Sequence, residues 1–282
     1  MNTAATSQIF CGARFATTMR RDWRMERSAW GVRFLAMFGV LVLFALGTSW
    51  FVHQVATPSE PPYSSSIYAD GVEKIGLGFV CYFFLSIFTS LGASLFHSGY
   101  GTPGQRLNEL MNPASTLERF TSRFIICIIG VTVAYGVCWE LADWVRVLVM
   151  HLFDRPAAAH VGFFEAIGIV SSKTGYITVL IICGVVCSQA CYALGSTIWP
   201  KLSFLKTFAA MFVIQFIYGM AVGYMMGYCV GAHIGKGDVA SAPQINISDF
   251  SAIILCSSVA VILFCFITAY FRMREDEIID RM

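Results

Sequence analysis

Three cysteines with helical spacing are the first candidates for chemistry in this sequence. Cys183, Cys187 and Cys191 recur at every fourth position, so they share one face of a helix. Thiolates placed in this way could contribute to a site for a soft metal ion. A closed site needs further ligands, and no C-x-x-C pair, histidine pair or methionine array accompanies these thiols. We therefore interpret them as small, polarisable packing residues and expect no metal site.

No other group of residues has the spacing of a catalytic or nucleotide-binding site. Ser94 lies in an apolar segment, but no histidine lies at depth in another segment to act as its base. Gly99, Gly101 and Gly104 match G-x-G-x-x-G, yet an apolar helix rather than a strand precedes them, which excludes a dinucleotide fingerprint. We expect no enzymatic activity and no cofactor. The histidines, all near the ends of apolar segments, are His53, His97, His151, His160 and His233.

One set of three residues combines acidic and basic side chains at the spacing of a helix face. Glu140, Asp143 and Arg146 follow one another at intervals of three at the end of an apolar segment. Buried together, they could belong to a translocation pathway. More often such a set is a salt-bridge cluster at the membrane interface. The cores of the apolar segments otherwise lack charged residues, which argues against an ion-coupled carrier.

The composition indicates that these residues lie on membrane-spanning helices. Of the 282 residues 57% are hydrophobic and 13% charged, and the mean hydropathy is +0.67. These values lie outside the soluble range. They predict an all-α, polytopic integral membrane protein with membrane lipids as its surroundings and no role in binding nucleic acid. Six segments approach the roughly twenty residues that cross a bilayer: about 33–53, 75–97, 122–141, 174–198, 207–231 and 250–271.

The ends of the chain and the basic residues predict its orientation. Residues 1–32 form an amphipathic leader of arginines interleaved with aromatics, typical of an interfacial helix on an anionic membrane face. Residues 272–282 form a charged tail that we expect to be frayed. Arginine and lysine concentrate on the side of the leader, which places both termini in the cytoplasm and the protein in the cytoplasmic (inner) membrane as a multi-pass protein.

Two connections between spans have a distinct sequence signature. Residues 101–121 form a cytoplasmic insert: Thr102-Pro103 with Gln105 predicts the start of a short helix, and Asn112-Pro113 ends it. Ser115 and Glu118 then form an S-x-x-E capping box that starts the next span. On the opposite side, residues 145–153 and 162–170 are predicted to be interfacial helices, since each is too short or interrupted for a span.

The fifth span carries a stripe of small residues. Glycine at every fourth position lets another helix approach closely in lipid. The stripe could pack within one chain or form an interface between two copies, as in a homodimer, and the sequence leaves both open. Its helix-packing residues are Gln215, Gly219, Gly223, Gly227 and Gly231.

Two segments resemble the type-2 export-permease family of ABC transporters. They are the leader RFATTMRRDWRMERSAWGVRF and the run LNELMNPASTLERFTSRFI, which is similar to the L-x-x-P-x-S-x-x-E type of run before the third helix of these permeases. The resemblance covers residues 14–125 by motif, and the six-span plan agrees with it. The long segment on the opposite side lies here between the third and fourth spans, whereas the family commonly has it between the fifth and sixth.

The resemblance implies a permease subunit of an ATP-driven exporter with no chemistry of its own. Two copies would form the pathway, and a cytoplasmic coupling helix would dock on a separate ATPase. The partner-docking residues that it implies are Gln105, Arg106, Glu109, Leu110, Met111, Asn112, Pro113, Ser115, Glu118 and Arg119. The alternative function is a non-transporting membrane scaffold or accessory protein that assembles through the glycine stripe.

Overall fold

A computed structural model describes residues 10–56, 62–98, 104, 114–153, 159–170, 175–199, 201–234 and 247–279. About 92% of the described residues are helical, and these residues contain no strand. Within these ranges, six helices are long and apolar enough to cross a membrane. The protein is therefore an all-α, multi-pass membrane protein, as predicted. In lipid, helices satisfy their backbone hydrogen bonds internally, which explains the absence of other regular structure.

The first two helices are longer than the spans predicted within them. Helix α1, Gly12–Ala56, joins the leader and the first span without a break. At 1.5 Å per residue it is about 67 Å long, more than twice the hydrocarbon thickness of about 30 Å. Helix α2, Pro62–Ser94, begins about thirteen residues before the predicted second span. Proline is well tolerated at that position, because the first amides of a helix have no partner within it.

The third span belongs to one continuous helix, α3, which runs over Thr116–Leu152. It is α-helical except for a π-helical turn at Ile125–Gly130. The prediction of a separate interfacial helix at 145–153 was wrong, because these residues extend α3. The helix can continue because no proline or glycine follows Gly136 before its end.

The remaining helices complete the bundle. The short α4, Phe163–Val170, matches the predicted second interfacial helix and packs against α2. Helices α5, Gly175–Ile198, and α6, Ser203–Ile234, correspond to the fourth and fifth predicted spans and form a tight helical hairpin. Helix α7, Ile247–Ile279, includes most of the tail that we expected to be frayed.

Two buried clusters hold these helices together. One joins α1, α2, α3 and α4 through residues such as Leu41, Leu77 and Trp139. The other includes Phe96 and Tyr192 and lies on the leader side of the bundle. It joins the first part of α3 to the C-terminal parts of α2 and α5. Of the three thiols of the fourth span, that of Cys191 on α5 contacts α7: its Sγ lies 3.9 Å from Sγ of Cys265.

The α5–α6 hairpin depends on one close approach. A Cβ atom at Gly195 would lie 2.6 Å from Cγ2 of Thr207 and still closer to its Oγ1. A Cβ atom essentially never comes this close to an atom to which it is not bonded. Gly195, which has no Cβ, therefore lets α6 pack against α5. Leu202 in the connecting turn adopts a positive φ of 55°, which a residue other than glycine rarely does.

We predict that Gly195→Ala destabilises the protein by about 1–3 kcal/mol, because the added methyl group overpacks the hairpin. The measurement is thermal or denaturant unfolding in detergent. Gly184→Ala on the same helix is the matched control, since its Cβ would meet only the hydroxyl of Tyr82 at 4.0 Å. Equal stability of the two variants would contradict the packing argument.

Candidate functional site

The first candidate site is the hinge where α3 begins on the leader side. Ser115 is the N-cap of α3, and its side chain accepts a hydrogen bond from the amide of Glu118 at 3.3 Å. The Glu118 carboxylate accepts one in return from the Ser115 amide at 3.0 Å. The predicted capping box is confirmed. It fixes the point at which the chain changes from the insert to the membrane helix.

Glu118 also fastens the start of α1 to the start of α3. Arg14 donates from Nε to Oε2 at 2.7 Å and from Nη2 to Oε1 at 3.0 Å, which is a bidentate ion pair. The amide of Cys11 donates to Oε1 at 2.7 Å. The Glu118 side chain is fully buried. One carboxylate therefore caps α3 and holds the leader against it.

A second layer of polar contacts extends this hinge. Ser122 donates from its hydroxyl to Asp22 Oδ2 of the leader at 2.9 Å. Arg123 donates to the carbonyl of Phe96 beyond the end of α2 at 3.0 Å. The ring of Phe120 meets that of Tyr270 on α7 edge-on, at 5.6 Å between centroids. The first two turns of α3 thus contact α1, α2 and α7 together.

The structure separates the predicted docking residues into two groups. Ser115 is half-buried, whereas Glu118 and Arg119 are buried; Arg119 donates to the carbonyl of Ala114 at 3.1 Å. Their side chains contribute to the hinge, and docking by these three residues stays a prediction. Docking by the others stays a prediction, because they lie outside the described residues: Gln105, Arg106, Glu109, Leu110, Met111, Asn112 and Pro113.

The second candidate site lies at the other end of α3, about 42 Å from Glu118 at 1.5 Å per residue. Arg146 is fully buried there. It donates to Glu73 Oε1 of α2 at 2.6 Å and to Asp143 Oδ1 at 2.7 Å. It also donates to the hydroxyl of Ser49 on α1 at 3.2 Å and to the carbonyl of Ala159 at 2.7 Å. A buried guanidinium needs such partners, because removing it from water is costly.

The carboxylates of this cluster also fix the chain before α4. Asp143 Oδ2 accepts from the amide of Val161 at 2.8 Å, and Glu140 Oε1 accepts from the amide of Phe163 at 2.7 Å. His160 Nε2 lies 3.3 Å from Glu140 Oε2. The spacing of the three charged residues predicted a salt-bridge cluster, and the structure shows that Asp143 and Arg146 pair and are buried within the protein. Sequence reasoning missed Glu73, whose only signal was a lone carboxylate beside an apolar run.

Gly219 and Gly223 of the glycine stripe have no close neighbour within the described part of the chain. A Cβ atom at Gly219 or Gly223 would meet nothing within 4 Å, and Gln215 is exposed. The surroundings of Gly227 and Gly231 lie outside what the structure describes. Gln215 lines a groove that α6 forms with α2 and α5, so this end of the stripe faces other helices of the bundle. The packing role of the stripe stays a prediction.

Neither cluster has the arrangement of a metal centre. In the part of the chain that the structure describes, no three His, Cys, Asp or Glu side chains are placed to hold a metal ion. Comparison with known proteins adds nothing to these observations: no protein-family profile, curated protein or solved structure matches the chain significantly.

We predict that Arg146→Met destabilises the fold by about 3–5 kcal/mol, because it leaves two buried carboxylates unpaired. Denaturant unfolding in detergent measures the loss. Arg272→Met is the matched control, since Arg272 is exposed on α7. Adding Glu73→Gln and Asp143→Asn to Arg146→Met should restore part of the stability. A single variant as stable as the control would contradict the assignment.

We also predict that Arg14→Gln frees the start of α1, because the bidentate pair with Glu118 is lost. Amide hydrogen exchange over residues 12–18, measured by mass spectrometry, should accelerate roughly tenfold. Arg20→Gln, a change at an exposed arginine of the same helix, should leave exchange unchanged. Identical exchange in the two variants would show that Arg14 does not hold the leader.

Proposed function

We propose that this protein is the membrane-spanning permease subunit of an ATP-driven, ABC-type exporter in the cytoplasmic membrane. A separate ATPase would supply the energy, and the insert at residues 101–121 would receive it. The family resemblance of the leader and the insert motivates this proposal. The observation that carries it is the fastening of the leader and the start of α3 through Glu118, at the end of that insert.

The hinge has the mechanical properties that coupling requires. The insert is joined to α3 through the capping box, and α3 is joined to α1 through the Arg14–Glu118 pair. A displacement of the insert by a docked subunit would move both helices, because helices are stiff and their junction is buried. The π-helical turn at Ile125–Gly130 lies just beyond the hinge. Such turns are frequent at functional sites, and in α3 it is where the helix could bend.

The two ends of α3 differ in how they could respond to such a push. At the hinge, Arg14 is about one third exposed, so its pair with Glu118 can exchange with water. At the far end, Arg146 is fully buried and bonded to α1, α2 and the chain before α4. Under this proposal the far cluster moves as one body with α3, while the hinge is the part that rearranges.

The proposal predicts that Leu110→Asp together with Met111→Asp removes the ATPase, because two carboxylates replace the apolar side chains that would dock. The tagged protein is purified from its native membranes, and co-purifying chains with a G-x-x-x-x-G-K-[ST] sequence are identified by mass spectrometry. We expect at least roughly tenfold less of that chain with the double variant, the equivalent of about 1.4 kcal/mol or more of binding free energy.

Lys201→Asp with Leu202→Asp is the matched control, since both residues are exposed in the connection between α5 and α6, which lies on the leader side like the insert. Equal recovery of the ATPase with both pairs would refute docking at the insert. A cysteine at Gln105 tests the orientation separately. If it reacts with an impermeant maleimide added to intact cells, the insert is extracytoplasmic and the proposal fails.

The second candidate function is a scaffold that assembles through the glycine stripe. The open space beside Gly219 and Gly223 favours it, because no described residue of the same chain fills that space. Single cysteines at these two positions would form disulfide-linked dimers in membranes if the stripe were an interface. Dimers without any co-purifying ATPase would favour the scaffold over the exporter.

A further inference from the structure

An apolar groove lies between α1, α2 and α3 next to the leader. Its volume is about 240 Å³, which is enough for part of one acyl chain. It is partly open, and in a bilayer an opening among spans faces lipid. Its walls are apolar side chains, including Phe34, Met37, Phe88, Leu91, Leu95 and Val131.

A cation and an anion lie together at the leader end of this groove. The Arg33 guanidinium, which lines the groove, lies 4.8 Å from the centroid of the Trp30 ring. Arg33 Nη1 is 3.9 Å from Glu26 Oε2, and Trp30 Nε1 donates to the same oxygen at 3.0 Å. Trp30 is buried and so fixes both charged groups. Their side chains are 40% and 36% exposed, so each can still bind a ligand.

We propose that the groove binds a phospholipid with an ethanolamine headgroup. One acyl chain would lie along the groove, the phosphate would contact Arg33, and the ammonium would contact Glu26. The expected depth of Arg33 and Trp30 in the membrane agrees with headgroup binding, because Arg33 begins the first predicted span and tryptophan prefers the membrane interface. This inference does not rest on the exporter function and holds for either orientation of the chain.

The charges of Arg33 and Glu26 determine which lipid headgroup fits the site. A headgroup with net negative charge would bind Arg33 but would be repelled by Glu26, which is within 4 Å of that guanidinium. A choline headgroup carries a quaternary ammonium and has no N–H to donate to the carboxylate. The ethanolamine headgroup satisfies both side chains, since its phosphate accepts from a guanidinium and its ammonium donates to a carboxylate.

The test is lipid binding to the purified full-length protein by native mass spectrometry. Phosphatidylethanolamine, phosphatidylcholine and phosphatidylglycerol with identical acyl chains are titrated one at a time. For the unaltered protein we expect the ethanolamine lipid to bind about tenfold more tightly than the choline lipid, as one charge-assisted hydrogen bond would give. Equal binding of these two lipids would overturn the proposal without any variant.

Three variants assign the contacts. Arg33→Gln should weaken ethanolamine-lipid binding about tenfold, whereas Arg27→Gln, at an exposed arginine of the same helix, should not. Glu26→Gln should weaken the ethanolamine lipid and strengthen phosphatidylglycerol, reversing their order, because the repelling carboxylate is gone. If Arg33→Gln binds the ethanolamine lipid as tightly as Arg27→Gln does, or if Glu26→Gln leaves the order of lipid affinities unchanged, the assignment of Arg33 and Glu26 to the headgroup is wrong.

Discussion

In a bilayer the hydrophobic effect does not hold helices together, because lipid tails are as apolar as leucine. Helices must associate through close packing and polar bonds, and this chain uses both. Gly92 lets α2 approach α3 so closely that a Cβ atom there would lie 2.9 Å from the carbonyl oxygen of Cys127. Gly195 does the same between α5 and α6. The polar bonds are concentrated near the two ends of α3, where they join three or more parts of the chain.

The two polar clusters have different consequences. Arg146 is surrounded by partners from α1, α2, α3 and the chain before α4, so the far end behaves as one unit. Breaking such a buried pair costs more than the pair contributes, because it leaves a charge without compensation. At the hinge, Glu118 binds a leader residue that is partly exposed. An assembly that is fixed at one end and adjustable at the other suits a helix that transmits movement.

Among the described residues of the six long helices, those of α6 are the least buried. Over the described residues of α6, apolar side chains such as Phe212, Ile217 and Tyr224 are exposed around the helix. Lipid tails can cover these apolar side chains without loss of free energy. Gly219 and Gly223 have no side chain for a lipid tail to pack against. Of the six long helices, α6 therefore leaves the largest share of its described apolar surface to the lipid.

The sequence by itself determined the class of the protein, the approximate position of every span, the α5–α6 hairpin and the Ser115–Glu118 capping box. These follow from local properties, namely the length of apolar runs and residues within four positions of each other. It did not determine that α1 and α3 continue beyond their spans, since a helix can extend into water wherever its polar face finds partners. Nor could it join Glu118 to Arg14, Arg146 to Glu73 or Arg33 to a groove. Those contacts connect residues or surfaces far apart in the chain, and only the packing of helices brings them together.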